Sequence, residues 1–151
     1  MDVIVTPIGG GGMISGIATA AKGMKPGIRV IGTEPAGAPR YRLSREAGEP
    51  ISLSHVETIA DGTRTDHANP DNFAMIQARV DRLCTVEDGF IRQAMVLLMT
   101  KAKLTVEPSG ALPVAAALAG TLPVRQGQKV VFVLSGGNVD PALASQLLAR
   151  A

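Results

Sequence analysis

Two glycine-rich segments carry the clearest chemical signal. Gly9-Gly10-Gly11-Gly12 follows the apolar run Val3-Ile4-Val5-Thr6-Pro7-Ile8, and Ser135-Gly136-Gly137-Asn138 follows Val130-Val131-Phe132-Val133-Leu134. Consecutive glycines strip the side chains from a turn, so that backbone N–H groups can converge on one point. Where the turn opens a helix, the positive end of the helix dipole adds to them. The result is an anion cradle, best suited to a phosphate. The strict dinucleotide fingerprint Gly-x-Gly-x-x-Gly fails, because Ser15 stands where its third glycine would be. A looser spacing through Gly10, Gly12 and Gly16 remains. Glu34 lies at the end of the next strand-like run, near where a ribose-binding acid would stand. On the first segment alone a nucleotide therefore stays open. The second segment favours a different ligand: two glycine loops and the Ser135 hydroxyl suit one compact phosphorylated ring.

The remaining reactive side chains read as ordinary. Cys84 lies in the short apolar run Arg82-Leu83-Cys84-Thr85-Val86, as a small buried hydrophobe would, and a single cysteine cannot form an internal disulfide. Asp66-His67 and His55 lie near Ser54, but no nucleophile elbow accompanies them, so a hydrolytic triad is not expected. Lys22, Lys25, Lys101, Lys103 and Lys129 have the surroundings of solvated surface lysines. Glu34 reads otherwise as a surface or helix-capping acid.

The elements that must position the glycine loops follow from periodicity. Val3–Thr6, Ile28–Thr33, Leu83–Val86 and Lys129–Leu134 read as strands of one mostly parallel sheet, rich in β-branched residues. A helical pattern runs from Met13 through Ala21 and stops near Lys25-Pro26-Gly27. Strand, glycine turn, helix and strand make a βαβ unit with a right-handed crossover. Residues 37–47 read as a polar helix, 48–72 as irregular and 73–79 as a helix. A longer helix from Glu87-Asp88 to about Ala102 has Ile91, Ala94, Met95, Leu98 and Met99 along its apolar stripe. Ser109-Gly110 opens an alanine-rich helix to Ala119, and Pro141 precedes a last one, Ala142 to Arg150. The fold class is α/β, with both glycine loops expected at the C-terminal edge of the sheet.

Composition sets the frame. Of 151 residues 46% are apolar and 19% charged, a globular balance that disfavours disorder. The net charge of +2 is scattered, and with three Phe, one Tyr and no Trp there is little to stack on bases, so no nucleic-acid partner is expected. No apolar run approaches membrane-spanning length, and Met1-Asp2 leads directly into a strand-like run, so neither a membrane nor a signal peptide is expected. With the lone cysteine, these features lead to the expectation of a cytoplasmic protein.

Four motifs occur in order: Pro7-Ile8-Gly9-Gly10-Gly11-Gly12-Met13-Ile14-Ser15-Gly16, Ile59-Ala60-Asp61-Gly62, Val106-Glu107-Pro108-Ser109-Gly110-Ala111 and Leu134-Ser135-Gly136-Gly137-Asn138. Together they resemble the C-terminal half of the serine/threonine dehydratases (threonine ammonia-lyases) and serine racemases. These are pyridoxal 5'-phosphate (PLP) lyases and racemases of the tryptophan-synthase β-like fold, fold type II. The resemblance covers nearly the whole chain. It implies that Gly9, Gly10, Gly11 and Gly12 hold the cofactor phosphate, that Ser135 contacts the pyridine nitrogen, and that Gly62, Glu107 and Gly136 help to line the pocket. It further implies a small β-hydroxy amino acid substrate, converted to a 2-oxo acid and ammonia, and a homo-oligomer at full length. A serine racemase-like fragment and a dinucleotide-binding Rossmann-like module are the alternatives. The family's Schiff-base lysine belongs to the N-terminal half, and no segment here resembles it. The chain therefore reads as part of the PLP-binding large domain, with no catalytic residue of its own and inactive without that half, its expected partner. Some relatives hold a divalent cation on a site that resembles Glu34, the Ala38 carbonyl and a carboxylate two residues on. Arg40 occupies that last position, so no metal is expected.

Overall fold

The computed structural model describes residues 1–149. Four parallel strands form one sheet in the order β3-β2-β1-β4: β1 Val3–Pro7, β2 Arg29–Pro35, β3 Arg82–Val86 and β4 Val130–Phe132. β1 is central and wholly buried, pairing Val3 with Arg29 on one side and with Val130 on the other. Successive strand residues face opposite sides of the sheet, and the core divides accordingly. Val3, Val5, Ile31 and Val86 pack under α4 (Asp88–Leu97), α5 (Pro108–Leu118) and α6 (Pro141–Leu148). Ile8 and Val30 pack under α1 (Gly12–Met24), α2 (Arg40–Ala47) and α3 (Pro70–Arg79). The molecule is thus a three-layer α/β sandwich, as its alternating pattern requires.

Several element boundaries differ from the sequence reading for local reasons. β4 stops at Phe132 rather than Leu134. Val133 still donates to the Val5 carbonyl at 2.9 Å, but the next rung needs an N–H from residue 7, and Pro7 has none. β2 runs on through Glu34 and Pro35, which pair with Thr85 and Val86 of β3. α2 begins at Arg40, not at residue 37. α3 begins at Pro70, three residues before the expected start, because the Asn69 side chain accepts from the Asn72 N–H and Pro70 takes the first helical position. The helix expected to reach Ala102 loosens at Leu98 into a π turn ending at Ala102, and Lys103 follows with φ 60°. α6 ends at Leu148, and Arg150 lies outside the described residues.

Candidate functional site

β1 and β4 are parallel neighbours, so the loops leaving their C-terminal ends emerge side by side. β1 also lies between β2 and β4, and the connections from it and to β4 run to opposite sides. That is the switch-point crevice in which open α/β sheets bind ligands. Both glycine loops therefore share one sheet edge, as expected.

The first loop is fixed from behind. Tyr41 Oη and Asn72 Nδ2 donate to the Gly10 carbonyl at 2.7 and 2.8 Å. The Arg40 guanidinium donates to the Ile8 carbonyl at 3.1 Å and to that of Gly9. Among the described residues there is no cis peptide bond, and in a trans peptide the N–H points away from the C=O. With these three carbonyls held by Arg40, Tyr41 and Asn72, the N–H groups of Gly9, Gly10 and Gly11 face the opposite way. Among the described residues no backbone acceptor takes the N–H groups of Gly9, Gly10, Gly11 or Gly12. Gly11, the residue before α1, has φ 92°, and no side chain caps the helix. Four orphan donors at a helix N-terminus are the arrangement that an anion cradle requires.

The opposite wall comes from the second loop and α5. The Glu107 N–H donates to the Gly136 carbonyl at 3.1 Å. Gly136, at φ 75°, packs so closely on the Glu107 carboxylate that a Cβ there would collide with it. The same would happen between Gly110 and the Ser135 carbonyl, which clamps α5 against the loop. Ser135, Glu107, Gly62 and all four glycines of the first loop line one cleft of about 200 Å³, together with Pro7, Met13, Ile14, Thr63 and Ser109. Gly136 lies directly behind it, against Glu107. Of the eight residues that the resemblance implicates in cofactor binding, seven line this cleft and Gly136 packs against one of them, Glu107. Ser109 is the addition: its Oγ is buried without a hydrogen-bond partner and lines the cleft. The signal was available, since a serine in the first turn of a helix can aim a hydroxyl into a pocket beside it.

Glu34 is wholly buried, its carboxylate accepting from the Tyr41 and Arg42 N–H groups at 3.0 and 2.9 Å. It caps α2 from below and has no free oxygen face for a ribose. Burial pushes its carboxyl upward, while those two N–H groups and the charge of Arg40 pull it back. None of the five lysines lines the cleft. Lys22 bridges Asp81 at 2.9 Å and donates to the Ile28 carbonyl, so it is more engaged than a solvated surface lysine. Lys25 reaches the Met1 carbonyl, and Lys129 precedes β4, so these two and Lys22 all lie at the opposite sheet edge. Cys84 is half-buried against the Thr121 carbonyl, and burial pushes its thiol upward. The His67 ring hydrogen-bonds its neighbour Asp66 on the surface. Among the described residues no group of His, Cys, Asp and Glu is arranged to hold a metal, and no helix is long and apolar enough to cross a membrane. A larger groove of about 740 Å³ runs between α4 and α6. It lies away from both glycine loops, so the smaller cleft is the functional candidate.

Comparisons with known proteins show the family to which the chain belongs. The family model described as pyridoxal-phosphate dependent enzyme matches residues 1–136. The serine racemase of Arabidopsis thaliana is 42% identical over 93% of this chain and 43% of its own length. The L-threonine ammonia-lyase of Geobacter sulfurreducens is 40% identical over 97% of this chain and 36% of its own. Among solved structures, maize serine racemase superposes with a TM-score of 0.89 at 38% identity, covering 99% of this chain and 46% of that one. The chain therefore spans less than half the length of these relatives.

Proposed function

Because the chain belongs to the pyridoxal-phosphate dependent enzyme family and shares the tryptophan-synthase β-like fold, we propose that it is the cofactor-cradling part of an ammonia-lyase. The substrate class is a small β-hydroxy amino acid, threonine or serine, and the products are a 2-oxo acid and ammonia. The 151 residues are the C-terminal part of the PLP-binding large domain, in a cytoplasmic enzyme that is homo-oligomeric at full length. The observation that carries this reading is the pair of glycine loops on adjacent parallel strands, facing one cleft with orphan N–H donors on one wall and Ser135 on the other.

The cleft fits the cofactor. Extra Cβ atoms at Gly10 and Gly12 would meet nothing within 4 Å, so room for a phosphate lies against the loop. The unpartnered Ser109 hydroxyl offers one more donor. When bound, pyridoxal phosphate supplies an electron sink for bond breaking at the amino acid's Cα. Gly9 to Gly12 hold its phosphate through backbone N–H groups, and the N-terminus of α1 adds its positive dipole end. Ser135 would place a neutral hydroxyl at the ring nitrogen, a partner that, unlike a carboxylate, would not hold a proton there and would so favour loss of the β-hydroxyl over transamination. Glu107, held by Gly136 and pressed against Gly62, keeps the second loop and the turn at residues 61–63 at a fixed separation. The lysine that carries the cofactor comes from a segment outside these 151 residues, since the chain's own lysines lie away from the cleft.

Two measurements test this reading. Pyridoxine 5'-phosphate lacks the aldehyde, so its binding needs no lysine; it should bind the purified chain and be displaced by inorganic phosphate but not by NAD. The chain alone should release no ammonia from threonine or serine, and a supplied segment bearing the lysine should restore release. Ammonia production by the unaided chain would overturn the division of labour, and failure to bind pyridoxine phosphate would overturn the cradle. The similarity to serine racemases keeps one second reading, which the same assembly decides: D-serine without ammonia would make it a racemase.

A further inference from the structure

Arg40 is the largest side chain that is wholly buried, and the chemistry of the cleft does not use it. Its guanidinium is surrounded by oxygens. Nη1 donates to the carbonyls of Ala38 at 3.3 Å and Thr63 at 3.0 Å; Nη2 donates to those of Ile8 at 3.1 Å and of Gly9. The Glu34 carboxylate lies 3.8 Å from Nη1, and Nε has no partner. Burying a charge is costly unless it is paired and hydrogen-bonded. This one is held by the end of β1, the glycine loop, β2, the start of α2 and the turn at residues 61–63.

We propose that Arg40 is a built-in cation, a positioning residue that fastens the first glycine loop to the 61–63 turn and so holds the cleft open at the width the phosphate needs. This rests on the reading of that loop as a phosphate cradle. Gly9 and Thr63 both line the cleft, and the same guanidinium takes both of their carbonyls on its far side. Pulling back the Gly9 carbonyl turns the Gly10 N–H the other way. A Cβ on Gly9 would come within 3.0 Å of the Gly62 carbonyl, so the two walls are already in contact at this point and have no slack. Arginine suits the task because its planar fork reaches several acceptors at once, whereas a lysine ammonium is a point charge with three donors. Without the guanidinium, one carboxylate and four carbonyls would remain around an empty centre. Hard divalent cations prefer such an oxygen-only set. A small cation supplied from solution should therefore replace the side chain.

The test uses the full chain with Arg40→Ala and Arg40→Lys, and two readouts: affinity for pyridoxine 5'-phosphate, and hydrogen exchange at the amides of Gly9 to Gly12 and Thr63. Arg40→Ala should bind at least about tenfold more weakly, or about 1.4 kcal/mol, and its loop amides should exchange faster. Guanidinium ion at sub-denaturing concentration, or calcium, should restore both; sodium at equal ionic strength should not, and none of the three should affect the wild type. Arg40→Lys should fall between the two. If Arg40→Ala folds only when guanidinium or calcium is present, the cage is likewise supported. Wild-type affinity and exchange in Arg40→Ala, or recovery by sodium as complete as by calcium, would overturn the proposal. So would an Arg40→Ala chain that no cation recovers beside an Arg40→Lys chain indistinguishable from wild type. Should the wild type fail to bind pyridoxine phosphate, the cradle reading falls, and the exchange data still decide whether Arg40 fastens the loop.

Discussion

Neighbouring glycines of the first loop do different work, and substitution separates the two roles. A Cβ at Gly11 would lie 2.6 Å from Tyr41 Oη and 2.8 Å from the Asn72 Cβ, at a residue with φ 92°. The left-handed backbone alone costs an L-residue roughly 1–2 kcal/mol, and the collision adds to that. Gly11→Ala should therefore lower Tm by at least about 2 °C, at roughly 2–4 °C per kcal/mol for a chain of this size. Gly10→Ala should leave Tm unchanged, because its Cβ would meet nothing within 4 Å, yet weaken pyridoxine phosphate binding by occupying the phosphate's space. Equal thermal effects at the two positions would refute this division. Ser135 is tested by partition in the assembled enzyme. Ser135→Ala loses one neutral hydrogen bond, about 0.5–1.5 kcal/mol, and should loosen the cofactor modestly. Ser135→Asp places a carboxylate at the ring nitrogen, favours its protonation and should shift product from 2-oxo acid and ammonia toward pyridoxamine phosphate. An unchanged product ratio would mean that Ser135 is not the ring-nitrogen partner.

At the scale of elements, the site depends on helix starts and strand ends. α3 is held at its N-terminus by Asn69, whose side chain accepts from the Asn72 N–H at 3.1 Å, while Asn72 itself grips the Gly10 carbonyl. Asn69→Ala should cost about 1 kcal/mol, measured by urea unfolding, and should also weaken pyridoxine phosphate binding because the grip on Gly10 loosens. A stability loss with unchanged affinity would detach α3 from the cradle. Elements of this kind were legible where the signal was local. β-branched runs announced β1 and β2, and the glycines that end β1 and follow β4 announced the cleft. Asn69-Pro70 is also a local start signal, and reading it as loop cost three residues of α3. The early end of β4 was not legible, because it depends on Pro7 of another strand lacking an N–H. Nor was the burial of Arg40. A guanidinium between Glu34 and carbonyls from distant segments looks, in sequence, like any polar residue opening a helix. Ser109 was visible within its motif but gave no sign of being unpartnered.

At the scale of the molecule, the cleft lies where two cores meet. The first glycine loop leads into α1, whose Ile14 and Ala18 belong to the core under α1, α2 and α3; Glu107 and Ser109 begin α5, whose Ala111, Leu112 and Ala115 belong to the core on the other face. The two cores are separated by the sheet, and β4 is an edge strand with Val131 43% exposed, paired within the sheet to β1 alone among the described strands. A ligand held at once by Gly9 to Gly12 and by Ser135 therefore bridges the loops of β1 and β4 and opposes separation of the edge strand. Binding to the folded state alone stabilises by about 2.7 kcal/mol when free ligand is about a hundredfold above its Kd. At roughly 2–4 °C per kcal/mol, saturating pyridoxine 5'-phosphate should raise Tm by roughly 5–10 °C. Hydrogen exchange gives the regional check: protection should rise together at Val131 to Val133 and at Gly9 to Gly12. Inorganic phosphate fills only the first loop, so it should protect the glycines and leave β4 unchanged. If phosphate alone protected β4 as fully as the phosphorylated ring, the second loop would not be holding the ring, and the cleft would be a one-sided anion site.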